Sequence, residues 1–152
     1  MRHIGYNRLL ALVMVLLLSI LPMNAQGGKK RGGFDPKRFE IELEQYITTK
    51  AGLTPTESAK FFPAYRQMTK RMRSIFDQMR RYHQVDPRDV KACAEAIRKQ
   101  DELDIEMKML QQEYHVRFML ILPANKVLEI IKAEERFHRQ AFKRMRERDK
   151  DK

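Results

Sequence analysis

The sequence contains one cysteine, no tryptophan and only six glycines in 152 residues. A single cysteine excludes a disulfide within the chain, so a folded domain must be held together by packing. Cys93 lies between two alanines, and we expect it to be a small buried apolar residue. The alternative is a disulfide to another chain.

Elements of a catalytic site are also missing. Ser58, Ser74 and Cys93 are the candidate nucleophiles, but none lies in a nucleophile elbow, has a partner at catalytic spacing or follows a glycine-rich loop. The sequence therefore predicts a protein that is not an enzyme and that carries no cofactor.

Only one long apolar run occurs, at residues 9–21, and its 13 residues are fewer than the ~20 that cross a bilayer. Arg2 and Arg8 precede it, and Ala25 ends a stretch suited to cleavage. We interpret residues 1–25 as a signal peptide, which predicts a periplasmic protein. An uncleaved N-terminal anchor is the alternative.

Charge of one sign dominates the remaining chain. Removing Arg2 and Arg8 leaves 29 basic against 20 acidic residues, a net charge of +9. Export and the absence of a nucleic-acid-binding signature argue against nucleic acid. We expect acidic partners outside the cytoplasm, such as unfolded polypeptide, lipopolysaccharide or anionic lipid, with membrane contact only at the surface. Residues 26–33 are interpreted as a flexible basic tail, and residues 149–152 as a disordered charged end.

Four segments read apolar, any residue, proline: 34–36, 53–55, 85–87 and 121–123. Proline suits the first position of a helix, so each segment predicts a helix start. Phe34 and Phe39 have the spacing of a hydrophobic staple, and Thr54 and Glu57 that of a capping box. The fourth segment has no polar cap at Leu122, which leaves a kink between helical segments as an alternative.

Apolar residues recur at helical spacing throughout, and no segment after residue 25 alternates like a strand. The clearest seam has spacings of 4 and 3 and comprises Phe61, Tyr65, Met68, Met72, Ile75, Met79 and Tyr82. Leu103, Met107, Leu110 and Tyr114 continue the rhythm, and a neighbouring stripe of the same segment comprises Ile105, Met109, Val116 and Met119. The fourth segment has two stripes, Leu128, Ile131, His138, Phe142 and Met145 beside Val127, Ile130, Phe137 and Ala141.

These patterns predict one all-α domain over residues 34–148 with four helices. We expect a first helix from Pro36 to about residue 50, closed by Gly52, then an elongated helical hairpin with a turn near residues 82–86, and a helix after Pro123. Pro63 should bend the second helix, which favours a thin, cradle-like shape. A thin hairpin leaves apolar surface uncovered, so we expect a homodimer.

The basic excess is concentrated in residues 60–81, where seven bases accompany one acid. Exposed helical faces usually mix charges to gain i,i+4 pairs, and this one does not. We therefore predict that a basic stripe on the second helix meets an acidic partner, and we assign to that binding role Arg66, Lys70, Arg73 and Arg80. Seven methionines after residue 25 suit either a helical core or a surface that accepts many partners.

The segments Leu53-Thr54-Pro55-Thr56-Glu57 and Ile121-Leu122-Pro123-Ala124-Asn125 resemble the two LTxxQ motifs of the Spy/CpxP periplasmic family. The resemblance covers residues 34–148. Glu57, Leu122 and Asn125 depart from the motifs, and Glu57 keeps the capping function. The resemblance implies a cradle-shaped helical dimer whose basic, partly apolar concave face holds unfolding envelope proteins without ATP.

Related members of that family sense envelope stress or heavy metals and signal to a kinase or an anti-sigma factor. The alternative function is thus a periplasmic sensor subunit, whose metal ligands would be His115, Glu135 and His138. Gln112 argues against a di-iron oxidase, because it stands where the second glutamate of such a site is needed. An envelope-structural protein that binds lipopolysaccharide through its basic tail is a third hypothesis.

Overall fold

The computed structural model describes residues 35–150, with side chains as far as residue 147. It contains four helices, α1 (Pro36–Ala51), α2 (Pro55–Tyr82), α3 (Val90–Met119) and α4 (Ala124–Lys150). Residues 35–150 contain no strand, and the predicted all-α fold class is confirmed. The signal peptide, the basic tail and the Phe34 half of the staple lie outside the described residues.

Helix α1 begins and ends as its sequence predicts. The Asp35 carboxylate accepts hydrogen bonds from the N–H groups of Lys37 and Arg38 at 3.0 and 3.3 Å, and Pro36 fills the first helical position. Gly52 ends the helix with φ +58°, a left-handed conformation that glycine adopts without a steric penalty, and donates its N–H to the Thr48 carbonyl.

Helix α2 begins with the predicted capping box. The Glu57 N–H donates to the Thr54 hydroxyl at 3.2 Å, and the Thr54 N–H donates to the Glu57 carboxylate at 2.8 Å. These bonds satisfy two amides that would otherwise lack a partner in the first turn. The helix continues through Pro63, which is exposed. The bend expected at Pro63 stays a prediction.

Helix α3 does not begin at Pro87, so the start predicted there is wrong. The Asp86 carboxylate accepts from the Arg88 N–H at 3.0 Å, and the Asp86 carbonyl accepts from the Asp89 N–H at 3.0 Å, which closes a separate turn. Asp89 then caps the helix by accepting from the Ala92 N–H at 2.9 Å. A second acidic cap three residues later therefore takes the role that we gave to Asp86.

Helix α4 starts cleanly after Pro123, whose carbonyl accepts from the N–H groups of Lys126 and Val127 at 2.9 and 3.1 Å. Four residues separate it from α3, so the kink considered at Leu122 is not found. Pro123 therefore occupies the cap position instead of the first helical position, and the buried Leu122 lies outside the helix. The helix includes residues 149 and 150, which we had placed in a disordered end.

The described residues divide into two compact units, residues 54–127 and the combination of 35–53 with 128–150. The single domain predicted for residues 34–148 stays a prediction, and each unit is described by itself. In the first unit, α2 and α3 pack side by side in opposite directions: the Phe61 and Phe118 rings are 4.8 Å apart at one end, and Arg71 reaches Glu113 further along.

The seam predicted on α2 is confirmed as buried from Phe61 to Met79, and Tyr82 is half-buried. It faces the predicted α3 positions, all of them buried: Leu103, Met107, Leu110 and Tyr114. The seam therefore forms the core of the first unit.

In the described part of the second unit, α1 packs against α4 through aromatic contacts. The Phe137 ring lies 5.1 Å from that of Phe39 and 5.4 Å from that of Tyr46, measured between centroids. Of the two α4 stripes, the one with Ile130, Phe137 and Ala141 is buried, together with His138 from the other. Among residues 35–150, no helix is long and apolar enough to cross a membrane. The cradle shape and the homodimer stay predictions.

Candidate protein-binding surface

The basic stripe of α2 comprises Arg66, Lys70, Arg73 and Arg80. The first three are exposed, and Arg80 is half-buried. Spacings of four, three and seven residues place all four on one side of the helix. Arg80 Nη2 lies 3.2 Å from the Asp77 carboxylate, one turn earlier in the same helix.

The stripe is presented to solvent because the opposite side of α2 is buried. Phe61, Met68 and Met72 are each at most 4% exposed, and they fix which side of the helix faces inward. The Arg66 guanidinium lies 6.0 Å from the centroid of the buried Phe62 ring, within the range of a cation–π contact. Arg66 thus packs over a ring of the core, which helps to fix the position of its guanidinium.

A second cationic cluster lies on the first unit, where α2 meets α3. The guanidinium carbons of Arg71 and Arg117 lie 5.8 and 5.7 Å from the centroid of the Tyr114 ring. Arg117 also donates to the Gln67 side chain at 3.4 Å, and Arg71 pairs with Glu113 at 3.3 Å. A hydrogen bond with Tyr114, followed by the charge of Glu113, raises the pKa of Arg71.

The sequence does not predict this cluster, because Arg71 lies about 45 positions before Tyr114 and Arg117, on a different helix. No local spacing links Arg71 to Arg117. Tyr114 was predicted only as part of a core stripe.

Beside the cluster, α2 and α3 form the walls of an open groove with a volume of about 460 Å³. Its lining includes the buried residues Ile75 and Leu110, and its polar groups come from Arg71, Ser74, Gln78, Glu106 and Glu113. Donors and acceptors next to an apolar lining can hold a peptide backbone together with its side chains.

The two motif-like segments meet at Glu57. The Lys126 ammonium donates to both carboxylate oxygens of Glu57 at 2.7 Å, which ties the first turn of α2 to the first turn of α4 within the first unit. The Lys126 hydrogen bond and then the Thr54 N–H lower the pKa of Glu57 to about 2. Glu57 is therefore ionised at neutral pH and acts as both a cap and a link.

The remaining motif residues have structural positions. Leu53 and Leu122 are buried, Pro55 occupies the first turn of α2, and Ile121 is half-buried. Pro123 and Asn125 are exposed. Lys126, the residue after the second segment, makes the contact that joins the two segments, and nothing in the local sequence indicated it.

The residues of the alternative metal site are distributed between the units. His115 belongs to residues 54–127, whereas Glu135 and His138 belong to the second unit. His138 is 3% exposed, and neither of its ring nitrogens has a hydrogen-bond partner in the described part of the chain. Its Nε2 lies 3.8 Å from Glu134, while Glu135 is 3.9 Å from Arg139. Among residues 35–147, no three His, Cys, Asp or Glu side chains form a group that could hold a metal ion.

Cys93 is half-buried, so its predicted burial is wrong. It follows Asp89 in the first turn of α3, and its Sγ lies 3.5 Å from the Asp86 carbonyl. The turn that replaces the predicted helix start at Pro87 leaves this end of α3 more open than we expected.

No protein-family model, curated protein or solved structure matches this chain. The resemblance to the Spy/CpxP family is therefore a hypothesis.

Proposed function

We propose that the protein is a periplasmic, ATP-independent chaperone or envelope-stress adaptor that holds unfolding polypeptides on the basic stripe of α2. The observation that carries the proposal is the exposure of Arg66, Lys70 and Arg73 on one side of a helix that has seven bases and two acids. The homodimer and the cradle shape belong to the same proposal.

The physical basis of this binding is electrostatic attraction between the basic stripe and the client, which does not require complementary shapes. Exposed bases draw an acidic or partly unfolded chain by long-range charge, which salt screens over about 8 Å at physiological ionic strength. The groove between α2 and α3, which is lined in part by Ile75, Met109 and Leu110, then offers apolar contacts. Such binding is weak, reversible and independent of nucleotide.

The test is aggregation of an acidic client enzyme during thermal unfolding, followed by light scattering with and without the purified protein. We expect suppression at ratios up to equimolar, without ATP, and weaker suppression at high salt. Failure to suppress at any ratio, in low and in moderate salt, would refute the chaperone function.

A triple variant tests the surface itself. Replacing Arg66, Lys70 and Arg73 by serine should weaken suppression and flatten its salt dependence. The matched control replaces three exposed arginines of α4 by serine: Arg136, Arg139 and Arg144. Both variants lose three positive charges. If they lose suppression of aggregation to the same extent, the assignment of client binding to the basic stripe is refuted.

A sensor subunit is the second candidate, favoured by His138. A buried imidazole with two unpartnered nitrogens beside a carboxylate is an unusual core residue. We propose that such a sensor would bind a divalent transition metal and signal to a membrane kinase or an anti-sigma factor. If the double variant His115→Ala, His138→Ala binds Zn²⁺ or Ni²⁺ as tightly as the unmodified protein in calorimetry, this candidate is wrong.

A further inference from the structure

Helix α3 has a row of large apolar side chains on its solvent side, which we call the outer face. Its members are between 48 and 65% exposed: Ile97, Ile105, Met109, Val116 and Met119. The outer face is separate from the basic stripe, because the stripe lies on α2 and the outer face lies on α3.

The outer face lies opposite the core of the first unit. At about 100° per residue, Ile105 points roughly 180° away from the direction shared by the buried Leu103, Met107 and Leu110. Helix α3 is therefore apolar on two opposite sides, whereas an ordinary surface helix has one apolar and one polar side. An exposed apolar row about six turns long marks an interaction surface.

The middle of the outer face is acidic. Residues 101–108 include Asp101, Glu102, Asp104 and Glu106 but a single base, Lys108. Lys99 pairs with Glu102 at 2.9 Å, while no ion pair involves Asp101 or Asp104 within the described residues. Asp101 and Asp104 thus flank Ile105, and neither carboxylate is held in an ion pair within the described residues, although Arg98 and Lys108 lie one turn away on either side.

We propose that the outer face docks an amphipathic helix of another protein whose apolar stripe is bordered by lysines or arginines. An apolar row at helical spacing accepts the matching row of a second helix, as in helix-in-groove recognition. The unpaired carboxylates select basic flanks, because like charges at an interface are strongly disfavoured. This partner differs in charge from an acidic client of the basic stripe, so the inference does not depend on the proposed function.

The experiment titrates two designed helical peptides of the same length into the purified protein and follows fluorescence anisotropy. Both carry leucine at heptad core positions; one has lysine at the flanking positions and its twin has glutamate. We expect the lysine peptide to bind at least roughly tenfold more tightly, a difference of about 1.4 kcal/mol. Equal affinity of the two peptides, or no binding of either, overturns the proposal.

Variants locate the contact. Ile105→Ser with Met109→Ser should weaken binding of the lysine peptide at least roughly tenfold, and Asp101→Asn with Asp104→Asn should reduce its salt dependence. The control, Ile41→Ser with Leu128→Ser, removes two exposed apolar side chains elsewhere and should leave binding unchanged. Circular dichroism checks that every variant keeps its helix content.

Two results would contradict the location or the occupant. If the control variant loses as much affinity as the outer-face variant, the peptide binds elsewhere. If sedimentation shows that the protein alone is a dimer and that Ile105→Ser with Met109→Ser converts it to a monomer, a second copy covers the outer face.

Discussion

Helices α2 and α3 have similar buried sides and different exposed sides. Each spans about 30 residues and buries an aromatic and methionine seam against the other. Outward, α2 has seven bases and two acids, whereas α3 has five bases and six acids around an exposed apolar row. The inward sides explain how the two helices pack, and the outward sides indicate what each can bind.

The largest expected effect is on stability, and it distinguishes the buried side of α3 from its exposed side. Met107 is 5% exposed and Met109 is 65% exposed. Met107→Ala should lower the free energy of unfolding by roughly 2–5 kcal/mol, because it leaves a cavity in the core. Met109→Ala should change it by less than about 0.5 kcal/mol. Urea denaturation measures both, and a large loss in Met109→Ala would show that the outer face is covered within the molecule.

The next effect compares how the two helices begin. Thr54→Ala removes one half of the capping box of α2, and Asp89→Ala removes the single cap of α3. Each should lower the free energy of unfolding by about 1 kcal/mol. The same urea experiment tests them, and an unchanged midpoint in Asp89→Ala would place the true start of α3 elsewhere.

The smallest effect depends on pH. The folded state lowers the pKa of Glu57 from 4.5 to about 2, so its contribution to stability is complete above pH 4.5 and is lost as the pH falls towards 2. Glu57→Gln should therefore unfold at lower urea concentration than the unmodified protein at pH 7, and the difference should shrink between pH 4.5 and 2. A difference that is constant with pH would mean that the carboxylate charge contributes nothing.

The sequence predicted most of the fold because helix starts and core seams depend on neighbouring residues. Asp35, Thr54 with Glu57, and Gly52 act through bonds to amides or carbonyls within about four residues. The start of α3 was misplaced because both Asp86 and Asp89 can cap an amide, and the proline after Asp86 favours the wrong one.

The binding surfaces were only partly predictable. Arg66, Lys70 and Arg73 were found because charge counts and helical spacing show a one-sided stripe. The contact between Glu57 and Lys126 was not found, because it joins residues 69 positions apart. Ile105 and Met109 were recognised as a second stripe, but spacing alone does not show which of two apolar sides is buried.

The most direct test of the account is capture of an acidic unfolding client by three forms of the protein, measured by light scattering at equal concentration. The unmodified protein and a variant of the outer face away from the groove, Ile97→Ser with Ile105→Ser, should suppress aggregation equally. The variant with serine at Arg66, Lys70 and Arg73 should suppress it weakly. If the basic-stripe variant retains full suppression, the basic stripe does not hold clients and the central claim is wrong.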